Sequence, residues 1–208
     1  CDAIYTGYLG SIEEIDTVLL LVDMFRDENT LVFVDPVMGD NGKLYKRFDE
    51  EYVIRNRKLC GCADIIVPNI TEACMLSGTE YREERDEEYY AELCERICDM
   101  GAKTAVLTGA SLSEGKTGVY GMRMSGSKTF CYQNERVEAS YHGTGDLFAS
   151  TAAAAMVRGI AMEDAFRIAS DYTAETIRAT MRNPDHPWYG VDFESTLPVL
   201  IEMASEYL

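Results

Sequence analysis

Short, continuous apolar runs alternate along the chain with longer segments in which apolar positions recur every three or four residues. A short apolar run closed by a turn signal is typical of a strand that is buried on both faces of a parallel sheet. Such runs occupy residues 2–6, Leu31–Val34, 64–67 and 104–107. The longer segments predict amphipathic helices at Ile12–Phe25, 70–77, 86–100, 146–158, 162–180 and after Ser195. This alternation predicts an α/β protein with a mostly parallel central sheet flanked by helices.

Residues that favour helix starts support these boundaries. Ser11 and Glu14 have the spacing of a capping box ahead of the first helix, and Asn69 and Glu72 have the same spacing ahead of a later one. The stretch 118–132 alternates apolar and polar residues around a central turn, which predicts a hairpin at the edge of the sheet.

Composition narrows the class of protein and its partners. The 208 residues are 47% hydrophobic and 26% charged, which is typical of a globular protein, and the length favours a single domain over residues 1–208. The 19 Lys and Arg residues stand against 36 Asp and Glu residues, so the net charge is −17. Such a chain repels polyanions, which argues against nucleic acid and against an anionic membrane as partners. It does not exclude a nucleotide enzyme, because backbone donors and a bound cation neutralise phosphates locally.

The cysteines indicate a reducing compartment. Seven of them are spaced irregularly, which is typical of reduced thiols in a cytoplasmic protein rather than of a disulfide framework. Cys60 with Cys62, and Cys94 with Cys98, invite a zinc interpretation. That interpretation is weak because no second Cys or His pair follows at zinc-site spacing and the chain has only two histidines.

Candidate chemistry lies in four loops that follow the predicted strands or open a helix. Ligands of open α/β sheets gather outside the carboxyl ends of the strands. The loops are Asp35-Pro36-Val37-Met38-Gly39-Asp40, Pro68-Asn69-Ile70-Thr71-Glu72, Thr108-Gly109 and Gly143-Thr144-Gly145-Asp146. In that order, they also have purely structural interpretations as an acidic turn, a helix cap, an ordinary turn and a helix start.

The last of these loops carries the most information. Gly143 and Gly145 let the backbone approach a ligand closely, and the free N–H groups at the helix start form an anion site. The same positive field favours the ionised form of Asp146, which is then placed to accept a proton from an attacking hydroxyl. The loop is therefore a candidate for phosphate binding and general-base catalysis.

These segments, in this order and spacing, resemble the ribokinase-like superfamily and, within it, the pyridoxal kinases. The resemblance covers the whole chain and includes Thr6-Gly7-Tyr8-Leu9-Gly10, the loop 35–40 with Gly42 and Tyr45, Ala63-Asp64-Ile65-Ile66-Val67-Pro68-Asn69 with Glu72, and Gly143-Thr144-Gly145-Asp146-Leu147-Phe148. It implies a ribokinase-like fold and ATP-dependent phosphorylation of the 5'-hydroxymethyl group of a vitamin B6 compound. It also implies ATP and Mg²⁺ as cofactors, a monovalent cation such as K⁺ as a further candidate, and a homodimer.

The resemblance implies a role for each matching residue. Asp146 corresponds to the catalytic base, and Gly143, Thr144 and Gly145 correspond to the anion hole for the transferred phosphoryl group. Asp35 corresponds to a residue near the phosphates and the metal, while Asn69 and Glu72 help to hold hydrated Mg²⁺. The nucleotide phosphates are expected near Thr108 and Gly109. The loop 39–45, with Asp40 and Tyr45, is expected to cover the substrate together with Tyr8.

The family pattern extends further at the N-terminus than this chain. We therefore expect a chain that lacks the family's first strands and small lid. Two other interpretations stay open: a hydroxymethylpyrimidine kinase of thiamin synthesis, which shares the Gly-Thr-Gly-Asp motif, and a nonenzymatic protein that binds a nucleotide or pyridoxal. A sugar or nucleoside kinase fits less well, because Met38-Gly39-Asp40 followed by Gly42 and Tyr45 resembles the pyridoxal branch.

Overall fold

The computed structural model describes residues 1–126, 128–139, 141–186 and 189–207, and it confirms the mixed α/β class. In chain order the elements are β1 Ala3–Thr6, α1 Ile12–Phe25, β2 Leu31–Val34, β3 Gly39–Asp40, β4 Lys43–Leu44, α2 Glu50–Cys60, β5 Ile65–Ile66, α3 Ile70–Ser77, α4 Glu87–Asp99, β6 Thr104–Ala110, β7 Lys116–Arg123, β8 Lys128–Glu135, α5 Thr144–Val157, α6 Met162–Arg182, a 3-10 turn at Glu194–Thr196, and α7 Leu197–Ser205. The contacts group these elements into two compact units, the first formed by Cys1–Leu112 with Val119–Cys131. The second is formed by Ser113–Gly118 and the chain from Tyr132 onward. A single domain over residues 1–208 stays a prediction.

The main sheet has six strands in the order β1-β2-β5-β6-β7-β8, and β1, β2, β5 and β6 belong to the first unit. The pairs β1–β2, β2–β5 and β5–β6 are parallel, as the apolar runs predict. Val32, Phe33 and Val34 of β2 and Ala105, Val106 and Leu107 of β6 are all fully buried. Burial of consecutive residues requires cover on both faces, which is why these strands read as continuous apolar runs. The predicted hairpin is β7–β8, and β8 lies at the end of the sheet order.

The helices of the first unit begin at side-chain caps. Ser11 accepts a hydrogen bond from the Glu14 N–H at 3.3 Å, so it is the N-cap of α1 as predicted. The reciprocal half of the predicted capping box is shifted by one residue, because the Glu14 carboxylate accepts from the Gly10 N–H at 2.7 Å. The α1 start is therefore fixed by two hydrogen bonds that also order the loop after β1.

Helix α2 and the short strands β3 and β4 were not predicted. Asp49 caps α2 by accepting from the Tyr52 N–H at 3.0 Å. The helix is polar on average, so apolar periodicity does not reveal it in the sequence. Its buried residues nevertheless fall on one face: Tyr52, Val53, Asn56, Leu59 and Cys60. Two of these, Leu59 and Cys60, end the helix against the core of the first unit.

The second unit is built mainly from helices. Helices α5 and α6 pack against each other, and Phe148 of α5 stacks on Phe166 of α6 with ring centroids 6.0 Å apart. Thr176 of α6 shares a 2.9 Å hydrogen bond with Thr196, which ties α6 to the segment that leads into α7. Within the described part of the chain, no helix is both long enough and apolar enough to cross a membrane.

The cysteines are all free thiols, and Cys60, Cys74, Cys94 and Cys98 are buried. Burial raises the pKa of the Cys74 and Cys98 thiols. A raised thiol pKa keeps the neutral form, so these residues behave as small apolar side chains of the core.

Candidate phosphate-binding and metal site

The candidate residues of the first unit lie at or near the carboxyl ends of four parallel strands. The Asp35 N–H donates to the Thr6 carbonyl at 2.8 Å, which places the end of β2 beside the end of β1. The Thr108 N–H donates to the Pro68 carbonyl at 2.9 Å, and Asn69 and Thr108 form a parallel bridge. Asp35 and Asn69 therefore follow β2 and β5 at one edge of the sheet, as predicted. Thr108 and Gly109 instead lie within β6, because this strand continues to Ala110 and does not end at Leu107 as the apolar run predicts.

Glu72 lies at the centre of this region and is 3% exposed. Its two carboxyl oxygens accept from different loops: Oε1 from the Met38 N–H at 3.0 Å and Oε2 from the Asn69 N–H at 2.9 Å. Asn69 completes a capping box by accepting from the Glu72 N–H at 2.9 Å. The capping interpretation of Asn69 and Glu72 is therefore confirmed, and Glu72 also ties the start of α3 to the loop after β2.

Burial raises the pKa of Glu72 to about 7. Hydrogen bonds from Asn69 and Met38 favour the ionised form and oppose that shift, whereas the nearby charge of Asp40 adds to it. Glu72 is therefore near half ionisation at neutral pH and is influenced by a second carboxylate. A bound cation would stabilise the ionised form of such a group.

The Tyr45 hydroxyl lies in the electrostatic field of the acidic residues of this region. The Tyr45 hydroxyl has a raised pKa, first because of burial and then because of the charges of Glu72, Asp40 and Asp35. Asp35 is 6% exposed, whereas Asp40 is exposed and accepts from the N–H and side-chain amide of Asn41. The charges of Asp35, Asp40 and Glu72 all act on the Tyr45 hydroxyl, and we call these four residues the acidic cluster.

The acidic cluster suits a metal ion that keeps part of its water shell better than one that is enclosed by protein ligands alone. Among the described residues, no three His, Cys, Asp or Glu side chains are arranged to enclose an ion. Mg²⁺ commonly keeps several waters and takes one or two carboxylates together with substrate phosphates. Both Glu72 oxygens already accept backbone hydrogen bonds, which favours contact with the ion through its water shell.

Residues 39–44 form a tight hairpin next to the acidic cluster. Asn41 has φ 52° and Gly42 has φ 72°, and these positive values at both central positions are those of the Asn-Gly turn that suits a two-residue hairpin loop. The Asn69 side-chain amide donates to the Gly39 carbonyl at 2.9 Å and holds the base of the hairpin. Asp40 and Tyr45 are carried by this hairpin and its exit, and Tyr45 is 42% exposed.

An aromatic stack flanks the same region and was missed by sequence reasoning. Tyr8 is 51% exposed, and its ring lies 5.6 Å from that of Phe48, which stacks on Tyr52 at 3.8 Å and 10°. The Tyr52 hydroxyl donates to the Leu9 carbonyl at 2.7 Å and fixes the loop that carries Tyr8. The sequence signal for Phe48 and Tyr52 is the helix cap at Asp49, which marks the start of α2 between them.

The candidate nucleotide-binding residues Thr108 and Gly109 lie near the end of β6, where the chain is accessible to solvent. Thr108 is half-buried and Gly109 is exposed with φ 73°. A side chain added at Gly109 would meet no atom within 4 Å, so this glycine serves backbone conformation and not close packing.

In the second unit, the predicted anion site opens helix α5. Gly143 is the N-cap with φ 82°, and among the described residues no side chain caps the helix there. The Thr144 hydroxyl donates to the Tyr141 carbonyl at 3.2 Å, which orders the turn. Gly145 and Asp146 are exposed, and a side chain added at Gly145 would meet nothing within 4 Å. The uncapped N–H groups and the empty space at Gly145 together leave room for an anion.

An open parallel α/β sheet with an acidic cluster at its carboxyl edge and a glycine-opened helix start is the architecture of a ribokinase-like kinase. A model of the phosphomethylpyrimidine kinase family matches residues 1–187, and the chain belongs to that family. The predicted ribokinase-like fold and the resemblance to pyridoxal kinases are confirmed by the comparisons that follow.

The chain is similar to characterised proteins and solved structures. It is 30% identical over 183 residues to a pyridoxine/pyridoxal/pyridoxamine kinase of Bordetella avium, covering 86% of this chain and 60% of that protein. A candidate phosphomethylpyrimidine kinase from Bacteroides thetaiotaomicron, crystallised with pyridoxal, is 34% identical with a TM-score of 0.89 over 96% of this chain and 71% of that one. A pyridoxal kinase from Leishmania donovani, in complex with ADP and pyridoxamine, is 25% identical with a TM-score of 0.84 over 96% and 70%. The chain spans about half the length of the curated pyridoxal kinases that it matches, from 34% to 60% of individual proteins.

Proposed function

We propose that the protein transfers a phosphoryl group from MgATP to the 5'-hydroxymethyl group of pyridoxal, pyridoxine or pyridoxamine. The observation that carries this proposal is the start of α5, where an uncapped, glycine-opened helix N-terminus stands beside the exposed carboxylate of Asp146. The similarity to a kinase of all three vitamers and to a chain crystallised with pyridoxal supports the choice of substrate.

The phosphoryl group is held, in this proposal, by the N–H groups of Gly143, Thr144 and Gly145. Those donors are not used by a side-chain cap, so they are available to a phosphate oxygen. Asp146 accepts the proton of the attacking hydroxyl, because its carboxylate is exposed in the first turn of α5 and is open to a ligand there. Phosphoryl transfer depends mainly on positioning and charge stabilisation, so these groups are adequate for the chemistry.

The acidic cluster would hold the metal. Glu72 and Asp35 are the proposed metal residues, with Asn69 fixing the Glu72 backbone and Thr108 and Gly109 lying near the nucleotide phosphates. Mg²⁺, when bound, neutralises the charge that the phosphates bring to the site. A monovalent cation such as K⁺ is a further candidate for the same acidic region.

The vitamer ring would be received by the aromatic and hairpin residues. Tyr8 offers an exposed aromatic face whose position is fixed by the Phe48–Tyr52 stack. Asp40 and Tyr45 offer polar groups on the hairpin that can meet the ring substituents. A flat aromatic surface with a few polar groups is suited to a small pyridine ligand.

We also propose that the protein is a cytoplasmic homodimer. The free thiols support a reducing compartment, and exposed apolar side chains on α1 offer a surface to a second copy: Leu20, Leu21, Met24 and Phe25. Sedimentation velocity at several protein concentrations tests the dimer, and a single monomeric species throughout would contradict it.

The function is tested by incubating the protein with MgATP and each of pyridoxal, pyridoxine, pyridoxamine and hydroxymethylpyrimidine. We expect ADP release coupled to a phosphorylated vitamer, identified by mass spectrometry, and no product when ATP is omitted. ADP release with no phosphorylated vitamer would mean that the protein hydrolyses ATP and does not transfer the phosphoryl group to a vitamer. Binding of pyridoxal with no product would instead support the nonenzymatic interpretation.

A hydroxymethylpyrimidine kinase is the second candidate. It is favoured by the family model, which carries the phosphomethylpyrimidine kinase description, and by the Bacteroides thetaiotaomicron chain. The same assay decides between them, because a higher kcat/KM for hydroxymethylpyrimidine than for every vitamer would replace the first proposal.

A further inference from the structure

The tip of the 39–44 hairpin is attached to helix α3 by a side chain that has no part in the proposed chemistry. The Gly42 N–H donates to the Thr71 hydroxyl oxygen at 2.9 Å. Thr71 is 3% exposed and lies in the first turn of α3, between the cap residue Asn69 and Glu72. Because α3 also carries Glu72, this hydrogen bond connects the hairpin tip to the element that organises the acidic cluster.

An aromatic ring supports the same residue from a second direction. A Cβ atom added at Gly42 would lie 2.9 Å from the ring of Tyr81, so the ring is in contact with the Gly42 backbone. The Arg85 guanidinium lies 4.8 Å from the centroid of the Tyr81 ring, an arrangement that stabilises the ring orientation. Thr71 and Tyr81 therefore hold Gly42 by a hydrogen bond and by a packing contact.

The tip is not embedded in the core. A cavity of about 290 Å³ adjoins Gly42 and is lined also by Thr71, Cys74, Met75, Gly78 and Tyr81, together with Thr79. Asp40, Asn41, Gly42 and Lys43 are all exposed. An element that borders a cavity and solvent has few packing contacts, so the individual contacts that hold it have a large effect on its position.

We propose that Thr71 and Tyr81 are positioning residues that keep the hairpin docked, and that they thereby set the affinity for the B6 vitamer. This inference rests on the proposed function, because the hairpin carries Asp40 and leads into Tyr45. When the Gly42–Thr71 hydrogen bond is lost, the docked hairpin becomes one of several populated arrangements. The apparent affinity for a ligand that needs the docked arrangement falls by the fraction that remains docked.

The experiment compares Thr71→Val, which keeps the shape and removes the hydroxyl, with Thr71→Ser, which keeps the hydroxyl. Thr79→Val is the matched control, since it is the same substitution at another residue lining the cavity. For Thr71→Val we expect the Gly42 amide to exchange its hydrogen about fivefold faster, as loss of one hydrogen bond predicts. Cleavage by trypsin after Lys43 should accelerate in parallel, while Thr71→Ser and Thr79→Val should match the wild type.

Pyridoxal binding is measured by calorimetry on the same proteins, so that the result does not depend on turnover. We expect the Kd for pyridoxal, and the KM where turnover is present, to rise about fivefold in Thr71→Val with a smaller change in kcat. Tyr81→Ala should behave like Thr71→Val, and Tyr81→Phe, which keeps the ring, should restore wild-type binding.

Each outcome supports or overturns the inference. Unchanged Gly42 exchange in Thr71→Val means that the hydrogen bond does not hold the hairpin, and the inference is wrong. Faster exchange with an unchanged Kd for pyridoxal means that the hairpin is held but does not position the substrate, which also overturns it. A wild-type protein that binds pyridoxal but forms no phosphorylated product disproves the kinase function and leaves the positioning role supported by the Kd values.

Discussion

Glu72 Oε1 lies 3.0 Å from the Met38 nitrogen and accepts its hydrogen bond, so a buried carboxylate at the start of α3 fixes the loop that follows β2. The contact joins two segments that are distant in sequence and that both carry candidate ligands of the acidic cluster. Since burial holds the pKa of Glu72 at about 7, the charge at this junction changes in the physiological range.

The affinity for Mg²⁺ in the presence of ATP should therefore depend on pH through Glu72. The folded-state pKa of about 7 lies above the ordinary value of 4.5, so the folded protein holds a proton there that the unfolded chain has already released. The stability that Glu72 contributes is complete below pH 4.5 and is lost as the pH rises through 7. Over the same rise in pH through 7, Glu72 becomes ionised, and the ionised carboxylate attracts a cation. We expect the apparent Kd for Mg²⁺ to rise about tenfold from pH 8 to pH 6.

Glu72→Gln is the comparison for this pH effect. The amide has no charge to titrate and loses one of the two backbone hydrogen bonds, so Mg²⁺ binding should be weaker at pH 8 and nearly independent of pH. ATP itself titrates in both proteins and cancels in the difference. Parallel pH profiles for the two proteins would show that Glu72 does not act on the metal.

The start of α5 should tolerate alanine at Gly145 structurally but not functionally. A methyl group there enters open space, and Ala favours a helix over Gly by up to about 1 kcal/mol, so stability should be equal or higher. The same methyl group occupies the space proposed for the phosphoryl group, and turnover should fall by about tenfold to a hundredfold. Thermal unfolding and steady-state kinetics on the same preparation measure the two effects.

Gly143→Ala is the contrasting variant. Its φ of 82° is unfavourable for a side chain, so it should lower the free energy of unfolding by about 1–2 kcal/mol. Turnover by Gly145→Ala at the wild-type rate would argue against an anion site at this helix start.

Features of the fold that have a local sequence signal could be predicted from the sequence. The strands β2 and β6 and the cap pair Asn69 and Glu72 were predictable because their signals are local, namely an apolar run or a fixed spacing. The parallel pairing of β1, β2, β5 and β6 follows from the same local alternation, since parallel strands need long, usually helical, connections.

Other features depend on contacts between distant segments and could not be predicted. The Glu72–Met38 and Thr71–Gly42 hydrogen bonds join residues separated by 34 and 29 positions, and no spacing rule links them. Helix α2 was missed for a different reason: its polar surface masks a narrow buried face, and the Asp49 cap alone is a weak signal. As a result the Phe48–Tyr52 stack, which depends on α2, was missed as well.

A stability prediction concerns Asp64, at the end of the sheet opposite the acidic cluster. Its Oδ1 accepts from Arg26 and from Lys103, each at 2.7 Å, and its Oδ2 accepts from the Val32 N–H at 2.8 Å. The Asp64 side chain is 15% exposed, so its removal leaves partners that are only partly rehydrated. Asp64→Ala should lower the free energy of unfolding by about 2–3 kcal/mol, measured by urea denaturation.

Lys103→Ala is the control for that measurement. The Lys103 side chain is 71% exposed, and an exposed ion pair contributes less than about 1 kcal/mol. Equal losses in the two variants would mean that the surface pair, and not the bonds to Val32 and Arg26, accounts for the effect of Asp64.

The last prediction concerns Asp146 as the proton acceptor. Asp146→Asn keeps the size of the side chain but removes its basicity, so kcat should fall by about 100-fold to 10,000-fold. Nucleotide binding should be largely retained, because the N–H donors of Gly143–Gly145 are unchanged. The measurement combines steady-state kinetics with calorimetric titration of ATP.

The matched control is Asp164→Asn, at a partly exposed carboxylate in the first turn of α6 that pairs with Arg167 at 3.2 Å near the surface. Both substitutions remove a favourable charge from a helix N-terminus, so each should lower stability by a similar amount, about 0.3–1 kcal/mol. Only Asp146→Asn should lower kcat. If both variants lost activity in proportion to their stability, the role of Asp146 would be structural, and a different group would have to accept the proton. If Asp146→Asn lost kcat and ATP affinity together, the carboxylate would act in nucleotide binding and not in proton transfer.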